Sequence, residues 1–104
     1  MKKKVLIVED NPLNMRLFSD LLKVADLDVI QVIDGMEALN RVVEHTPDLI
    51  LMDIQMPNMD GYKATEVIRG LSDKSKANIP IIAMTANAFE EDRKKALAKG
   101  MNGH

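Results

Sequence analysis

The chain has 104 residues, of which 46% are hydrophobic and 29% charged, a composition typical of one soluble globular domain. A net charge of −2 argues against the basic surface that nucleic-acid binding requires, and the absence of cysteine excludes disulfides and thiolate sites. No apolar run approaches the roughly 20 residues of a membrane span, and the run after lysines 2–4 is too short for a signal peptide. The lack of cysteine weakly favours a cytoplasmic protein.

Short apolar runs alternate with helical periods along the chain, and this alternation predicts an α/β domain with a parallel sheet. The predicted strands are residues 5–8, 29–32, 48–53 and 79–84. Asn11-Pro12 predicts the N-cap and first turn of a helix. Its apolar face, predicted to lie in the core, consists of Leu13, Leu17, Phe18, Leu21 and Leu22.

The middle of the chain predicts two further helices. Asp34 and Glu37 have capping-box spacing for the second helix, which Pro47 ends. Its predicted apolar face is Ala38, Leu39, Val42 and Val43. His45 near its end is interpreted as a helix-end cap rather than a catalytic group. Asp60-Gly61 opens the third helix, whose predicted inward residues are Ala64, Val67, Ile68 and Leu71.

The last third of the chain predicts a polar segment, a strand and a helix. Residues 72–78 are predicted to form a solvated loop before the fourth strand. Acids at 90–92 fill the first turn of the last helix, and lysines 94, 95 and 99 lie towards its end, which complements the helix dipole. Gly100 is a natural residue to follow the helix end.

The strand at 48–53 ends in Asp53, and the following segment, with one proline and one glycine, reads as a loop. In an open parallel sheet, ligands gather outside the carboxyl ends of the strands. Asp53 is therefore a candidate for chemistry. A carboxylate here could equally cap the next turn, and this stretch alone does not decide between the two readings.

A second acidic site lies at the end of the first strand, where Glu9 and Asp10 follow the apolar run. Two parallel strands would then present three carboxylates at one edge of the sheet. Like charges held close together cost free energy unless a cation neutralises them or one of them is protonated. An all-oxygen cluster of this kind suits Mg²⁺, which binds one or two carboxylates and keeps several waters.

Taken in order, three stretches resemble the receiver domain of two-component response regulators: VLIVEDN at 5–11, DLILMDIQMPNMDG at 48–61 and IIAMTANA at 81–88. The resemblance covers the whole chain, residues 1–104. NPLNMRLFSDLL at 11–22 is similar to stand-alone receivers of the DivK type. MTANAFEEDRKKALAKGMNG at 84–103 is equally similar to receivers of hybrid sensor kinases. The resemblance implies a flavodoxin-like, doubly wound parallel sheet of order 2-1-3-4-5.

The resemblance also implies roles for individual residues. Asp53 matches the phosphoacceptor, which takes a phosphoryl group from a partner's phosphohistidine or from a small phosphodonor. Glu9 and Asp10 match the acidic pair that holds Mg²⁺ with Asp53, and Gln55 matches the residue whose backbone carbonyl binds the metal. Thr85 matches the switch hydroxyl, although a β-branched residue at a strand end could simply cap the next turn.

The implied partners are a histidine kinase or a histidine phosphotransfer protein, together with a downstream protein target. Such a domain is a signalling phosphoacceptor and not an enzyme with an external substrate. Pro57 in the loop is compatible with a purely conformational role as well as with the family pattern.

The family pattern continues beyond residue 104 with a lysine, a fifth strand and a fifth helix, which this sequence does not contain. His104 falls at the position of the family's switch aromatic. We expect the sequence to be part of a longer protein, and we expect the chain as given to be unstable or to self-associate, since its incomplete C-terminal side would expose apolar surface.

Two other functions fit part of the pattern. A Mg²⁺-dependent phosphohydrolase with an aspartyl nucleophile often has a second acid two residues later, where this chain has Gln55, which cannot act as a proton donor. A flavodoxin-like nucleotide binder would need a glycine-rich loop after the first strand, where Glu9-Asp10-Asn11-Pro12 stands instead.

Overall fold

A four-stranded parallel sheet forms the centre of the molecule. In this computed structural model, the structure describes residues 2–54, 56, 59–84 and 90–103. The strands are β1 (Lys4–Val8), β2 (Asp28–Val32), β3 (Leu49–Asp53) and β4 (Ile81–Met84). They lie in the order β2-β1-β3-β4. The predicted α/β class and the first four places of the predicted strand order are confirmed.

Five helices are present in the described part of the chain. They are α1 (Pro12–Val24), α2 (Gly35–His45), α3 (Gly61–Arg69), α4 (Lys74–Ala77) and α5 (Glu90–Ala98). The first three begin at the predicted caps, because the side chains of Asn11, Asp34 and Asp60 accept backbone N–H groups in the first turn. Gly100 follows α5 with φ of 105°, a conformation that favours glycine. The acidic side chains predicted in the first turn of α5 lie outside the described residues.

Side chains of alternate residues in β1 enter two separate cores, one on each face of the sheet. Leu6 and Val8 join a large cluster with α2, α3 and Ala96 of α5. Val5 and Ile7 join a smaller cluster on the other face, where α1 contributes Met15 with Phe18 and Leu22. The sheet is therefore covered on both faces, as a doubly wound fold requires.

The predicted core face of α1 is wrong for three of its five leucine and phenylalanine residues. Leu13, Leu17 and Leu21 are 76%, 55% and 60% exposed, whereas Phe18 and Leu22 are partly buried. The helix is rotated so that Met15 and Ser19 face the sheet. Ser19 is buried there because its hydroxyl accepts a hydrogen bond of 2.7 Å from the side chain of Gln31.

Two further expectations are corrected. Val43 lies at the margin of the apolar face of α2 and is half exposed, while Ala38 and Val42 are fully buried. Residues 72–78 contain the short helix α4 instead of only a solvated loop. Asp73 caps this helix by accepting the N–H of Ser75, and Ala77 is buried.

Helix α5 contacts α3 largely through polar groups. The Lys95 ammonium lies 4.7 Å from the centre of the Tyr62 ring, and the Lys99 ammonium lies 2.9 Å from the Glu66 carboxylate. Of the α5 side chains that are described, Ala96 is the buried one. Tyr62 and Glu66 are four residues apart and share one face of α3, so α5 is aligned by successive charged contacts along that face.

Arg69 closes the same interface at the end of α3. Its guanidinium donates to the carbonyl oxygens of Ala77, Ile79 and Gly100 and to the side-chain oxygen of Asn102, each within 2.7–2.8 Å. Partial burial lowers the pKa of the guanidinium, but arginine stays charged in proteins. One side chain thus ties α3 to the segments that follow α4 and α5.

The Glu66–Lys99 pair predicts a pH-dependent contribution to stability. The hydrogen bond and charge of Lys99 lower the pKa of Glu66. This contribution is therefore fully present above the ordinary glutamate pKa of 4.5 and is lost as pH falls through the folded-state value. Glu66 correspondingly raises the pKa of Lys99. The stabilisation that comes from charged Lys99 is therefore lost only as pH rises through this raised pKa, above 10.5. We expect Glu66→Gln to lower the free energy of unfolding slightly at neutral pH and low salt, and not at all in acid below the Glu66 pKa.

Urea unfolding of both proteins across this pH range measures the effect. Glu44→Gln, on the exposed side of α2, is the control for the loss of one surface carboxylate. A destabilisation by Glu66→Gln that persisted unchanged in acid would contradict the assignment.

The chain after α5 returns to the sheet beside β4. Gly103 forms a parallel bridge with Ile82, supported by hydrogen bonds from Asn102 N–H to Ile81 and from Ala83 N–H to Gly103. This contact lies at the position that the predicted order assigns to a fifth strand. No helix in the described part of the chain has the length and apolar character needed to cross a bilayer.

Candidate functional site

Three carboxylates meet at the carboxyl edge of the sheet. One oxygen from each of Glu9, Asp10 and Asp53 lies within 4.8 Å of the others. Oxygens at this spacing can share one Mg²⁺, either directly or through the waters that this ion retains. The chemistry of the donor set therefore fits a small divalent cation, and the proximity that the sequence predicted is present.

The strand register explains this convergence. Val8 of β1 is paired with Met52 of β3, so the residues that follow them, Glu9 and Asp53, are neighbours at the same edge of the sheet. Asp53 is paired with Met84 of β4, and its strand is a central one between β1 and β4. This pairing fixes the Asp53 backbone against β4, and the β1–β3 ladder fixes the residue before it.

Glu9 and Asp10 differ in their surroundings. Glu9 is 5% exposed, and its Oε1 accepts the backbone N–H of Asn11 at 3.1 Å, whereas Asp10 faces solvent. Asn11 in turn caps α1 by accepting the N–H groups of Leu13 and Asn14. The start of α1 is therefore fixed to the end of β1, and this local structure holds the Glu9 carboxylate towards the cluster.

The start of α3 returns to the end of β3. The N–H of Gly61 donates to the carbonyl oxygen of Ile54 at 2.9 Å. Gly35, the first residue of α2, lies against Met59, two residues before Gly61. Sequence reasoning missed both glycine contacts. The available signal was the repeated Asp-Gly pair that opens α2 and α3.

Several predicted site residues cannot be placed. Gln55, Pro57, Thr85 and His104 lie outside the described residues, so their predicted roles stay predictions. His45 is described at the end of α2, where its ring nitrogen lies 3.6 Å from the Glu44 carboxylate on the surface. This location agrees with its interpretation as a helix-end residue.

Comparison with known proteins matches residues 5–104 to the family described as the response regulator receiver domain. The chain belongs to this family. It is 42% identical over all 104 residues to the polar-differentiation response regulator DivK of Brucella ovis, 83% of whose length it covers.

Two solved receiver domains come from histidine kinases. The receiver of the sensor histidine kinase PA1611 of Pseudomonas aeruginosa is 39% identical with a TM-score of 0.89, over 99% of this chain and 83% of that one. It contains a magnesium ion coordinated in the active site cleft. The receiver of the Arabidopsis thaliana histidine kinase CKI1, complexed with Mg²⁺ and BeF₃⁻, is 33% identical with a TM-score of 0.85, over 95% of this chain and 76% of that one.

The chain is thus a receiver domain of two-component systems, as its three motifs predicted. The relatives include both a response regulator and receivers of histidine kinases, so the two predicted subtypes are both represented among them. Neither the phosphohydrolase nor the nucleotide-binder alternative gains support from these comparisons.

Proposed function

We propose that Asp53 is the phosphoacceptor of this receiver domain. The observation that carries the proposal is the convergence of Glu9, Asp10 and Asp53 within 4.8 Å at the carboxyl edge of the sheet. Mg²⁺ would be held by these three carboxylates and by the backbone carbonyl of Gln55. When bound, the ion would offset most of the charge of the cluster and shield an incoming phosphoryl group from it.

The reaction proposed for this site is transfer of a phosphoryl group from phosphohistidine to aspartate. A carboxylate oxygen of Asp53 attacks the phosphorus atom, the phosphorus–nitrogen bond of the donor breaks, and the released imidazole takes up a proton. The product is an aspartyl phosphate. Phosphoryl transfer asks a protein mainly for positioning and charge neutralisation, and the pairing of Asp53 with Met84 of β4 supports the first of these.

The remaining roles are proposals of the same kind. The Thr85 hydroxyl would donate to the new phosphoryl oxygen and move with it, so that a local change of charge alters protein contacts. The partners would be a histidine kinase or histidine phosphotransfer protein and a downstream protein target, in the cytoplasm. Residues 1–104 would form one receiver domain, acting as a phosphoacceptor with no external substrate to turn over.

The direct test is phosphorylation of the wild-type chain by acetyl phosphate, followed by intact-mass and peptide mass spectrometry. We expect one phosphoryl adduct, on Asp53, that forms with Mg²⁺ and disappears when the ion is chelated. Repeated hydrolysis of p-nitrophenyl phosphate would favour the phosphohydrolase alternative instead. An adduct on another residue, or one that forms equally without Mg²⁺, would overturn the proposal.

A further inference from the structure

Helices α2 and α3 begin with the same two residues, an aspartate cap followed by glycine. Asp34 Oδ1 accepts the N–H of Glu37 at 2.8 Å, and Asp60 Oδ1 accepts the N–H of Lys63 at 2.8 Å. Gly35 and Gly61 are the first helical residues. Alanine is a better helix former than glycine, and neither glycine has positive φ. Backbone conformation therefore does not require glycine at these places.

Space requires glycine at position 61. A Cβ atom there would lie 2.3 Å from the carbonyl oxygen of Asp53 and 3.0 Å from the Cα of Ile54. Both are backbone atoms, which cannot turn aside as the end of a flexible side chain can. The first turn of α3 is therefore packed directly on the backbone of the phosphoacceptor residue.

Space also requires glycine at position 35, which lies against Met59. A Cβ atom there would lie 2.6 Å from the carbonyl oxygen of Met59 and 3.0 Å from its Cβ. To reach ordinary van der Waals contact at 3.4 Å, the Met59 carbonyl would have to retreat by about 0.8 Å. Met59 lies two residues before Gly61, which packs on the Asp53 carbonyl and donates to Ile54, so we expect such a shift to reach the end of β3.

We infer that Gly35 and Gly61 are positioning residues for the phosphoacceptor site. Their missing side chains let the start of α2 lie against Met59 and the start of α3 lie against Asp53, and this sets the place of the Asp53 backbone. The inference rests on the proposed function of Asp53. Metal and phosphoryl sites need their ligands within about 0.5 Å of the productive geometry. The shift required at Met59 is larger than this, so we expect it to weaken Mg²⁺ binding.

Gly35→Ala is the sharper test, because Gly35 contacts the loop and not Asp53 itself. The matched control is Gly70→Ala, since a Cβ at Gly70 would meet its nearest atoms at 3.5 and 3.6 Å and its φ of −84° suits alanine. Mg²⁺ affinity is measured by calorimetric titration, and folding by circular dichroism. We expect Gly35→Ala to weaken Mg²⁺ binding on the order of 10-fold while the protein stays folded, and Gly70→Ala to bind as the wild type does.

The outcomes separate the two proposals. Wild-type protein that bound no Mg²⁺ would refute the proposed function. Wild-type binding with an unchanged affinity in folded Gly35→Ala would refute the positioning role alone. A Gly35→Ala protein that failed to fold would also count against it, because the glycine would then serve packing of the domain rather than placement of the loop.

Discussion

Replacing Asp53 with asparagine is expected to abolish Mg²⁺-dependent binding of beryllofluoride and phosphorylation by acetyl phosphate. The amide has no anionic oxygen to attack phosphorus or to bind the beryllium, and it removes one of the three charges that attract the cation. The expected loss is complete within detection, because the proposed transfer proceeds through the Asp53 carboxylate. Fluorine NMR of the bound beryllofluoride and intact-mass analysis of the phosphorylated protein measure it.

Asp26→Asn is the matched control for this substitution. This substitution also removes one carboxylate charge. Asp26, however, lies in the turn before β2, where it is exposed and paired with Lys2 at 3.2 Å. Beryllofluoride binding to Asp26→Asn should equal that of the wild type. Undiminished binding of beryllofluoride to Asp53→Asn would refute the assignment of Asp53 as the phosphoacceptor.

The second large effect is expected from Arg69→Ala. The substitution leaves three carbonyl oxygens and the Asn102 side chain without their charged donor. Hydrogen bonds to charged groups are individually worth more than neutral ones, and the three to carbonyl oxygens are partly buried. We expect the free energy of unfolding to fall by about 2–4 kcal/mol. Urea unfolding followed by circular dichroism measures the change.

Arg16→Ala is the matched control, because it removes an arginine that lies in solvent. Arg16 is 84% exposed and reaches Asp20 only at 3.9 Å, so its loss should change stability by less than about 0.5 kcal/mol. Arg69→Lys tests whether charge alone suffices, because lysine lacks the planar fork that serves several acceptors at once. Equal effects of Arg69→Ala and Arg16→Ala would show that the four hydrogen bonds contribute nothing.

The sequence predicted the strands and the acidic cluster because both follow from local rules. A strand formed by an apolar run is predicted to end at the acidic residue that follows the run. Parallel strands bring such ends to one edge of the sheet. This rule alone was enough to predict that Glu9 and Asp53 lie close together. The helix caps Asn11, Asp34 and Asp60 were likewise readable, because a cap acts within three residues of itself.

The features that sequence reasoning missed depend on contacts between distant segments. The helical period of α1 identified apolar positions but not which of them would face the sheet, and Leu17 lies in solvent for that reason. The four hydrogen bonds of Arg69 and the approach of Gly35 to Met59 join residues far apart in the chain. Helix α4 was missed because KSKA has no apolar period, although Asp73 and Ser75 offered a capping signal.

The contact between Lys95 and Tyr62 gives this protein a built-in optical probe. The sequence has one tyrosine and no tryptophan, so its near-ultraviolet emission comes mainly from a single ring. That ring is almost fully shielded from water and lies beneath an ammonium group of α5. Any displacement of α5 from α3 changes the polarity around this fluorophore, and motion at that interface can be followed in real time without attaching a dye.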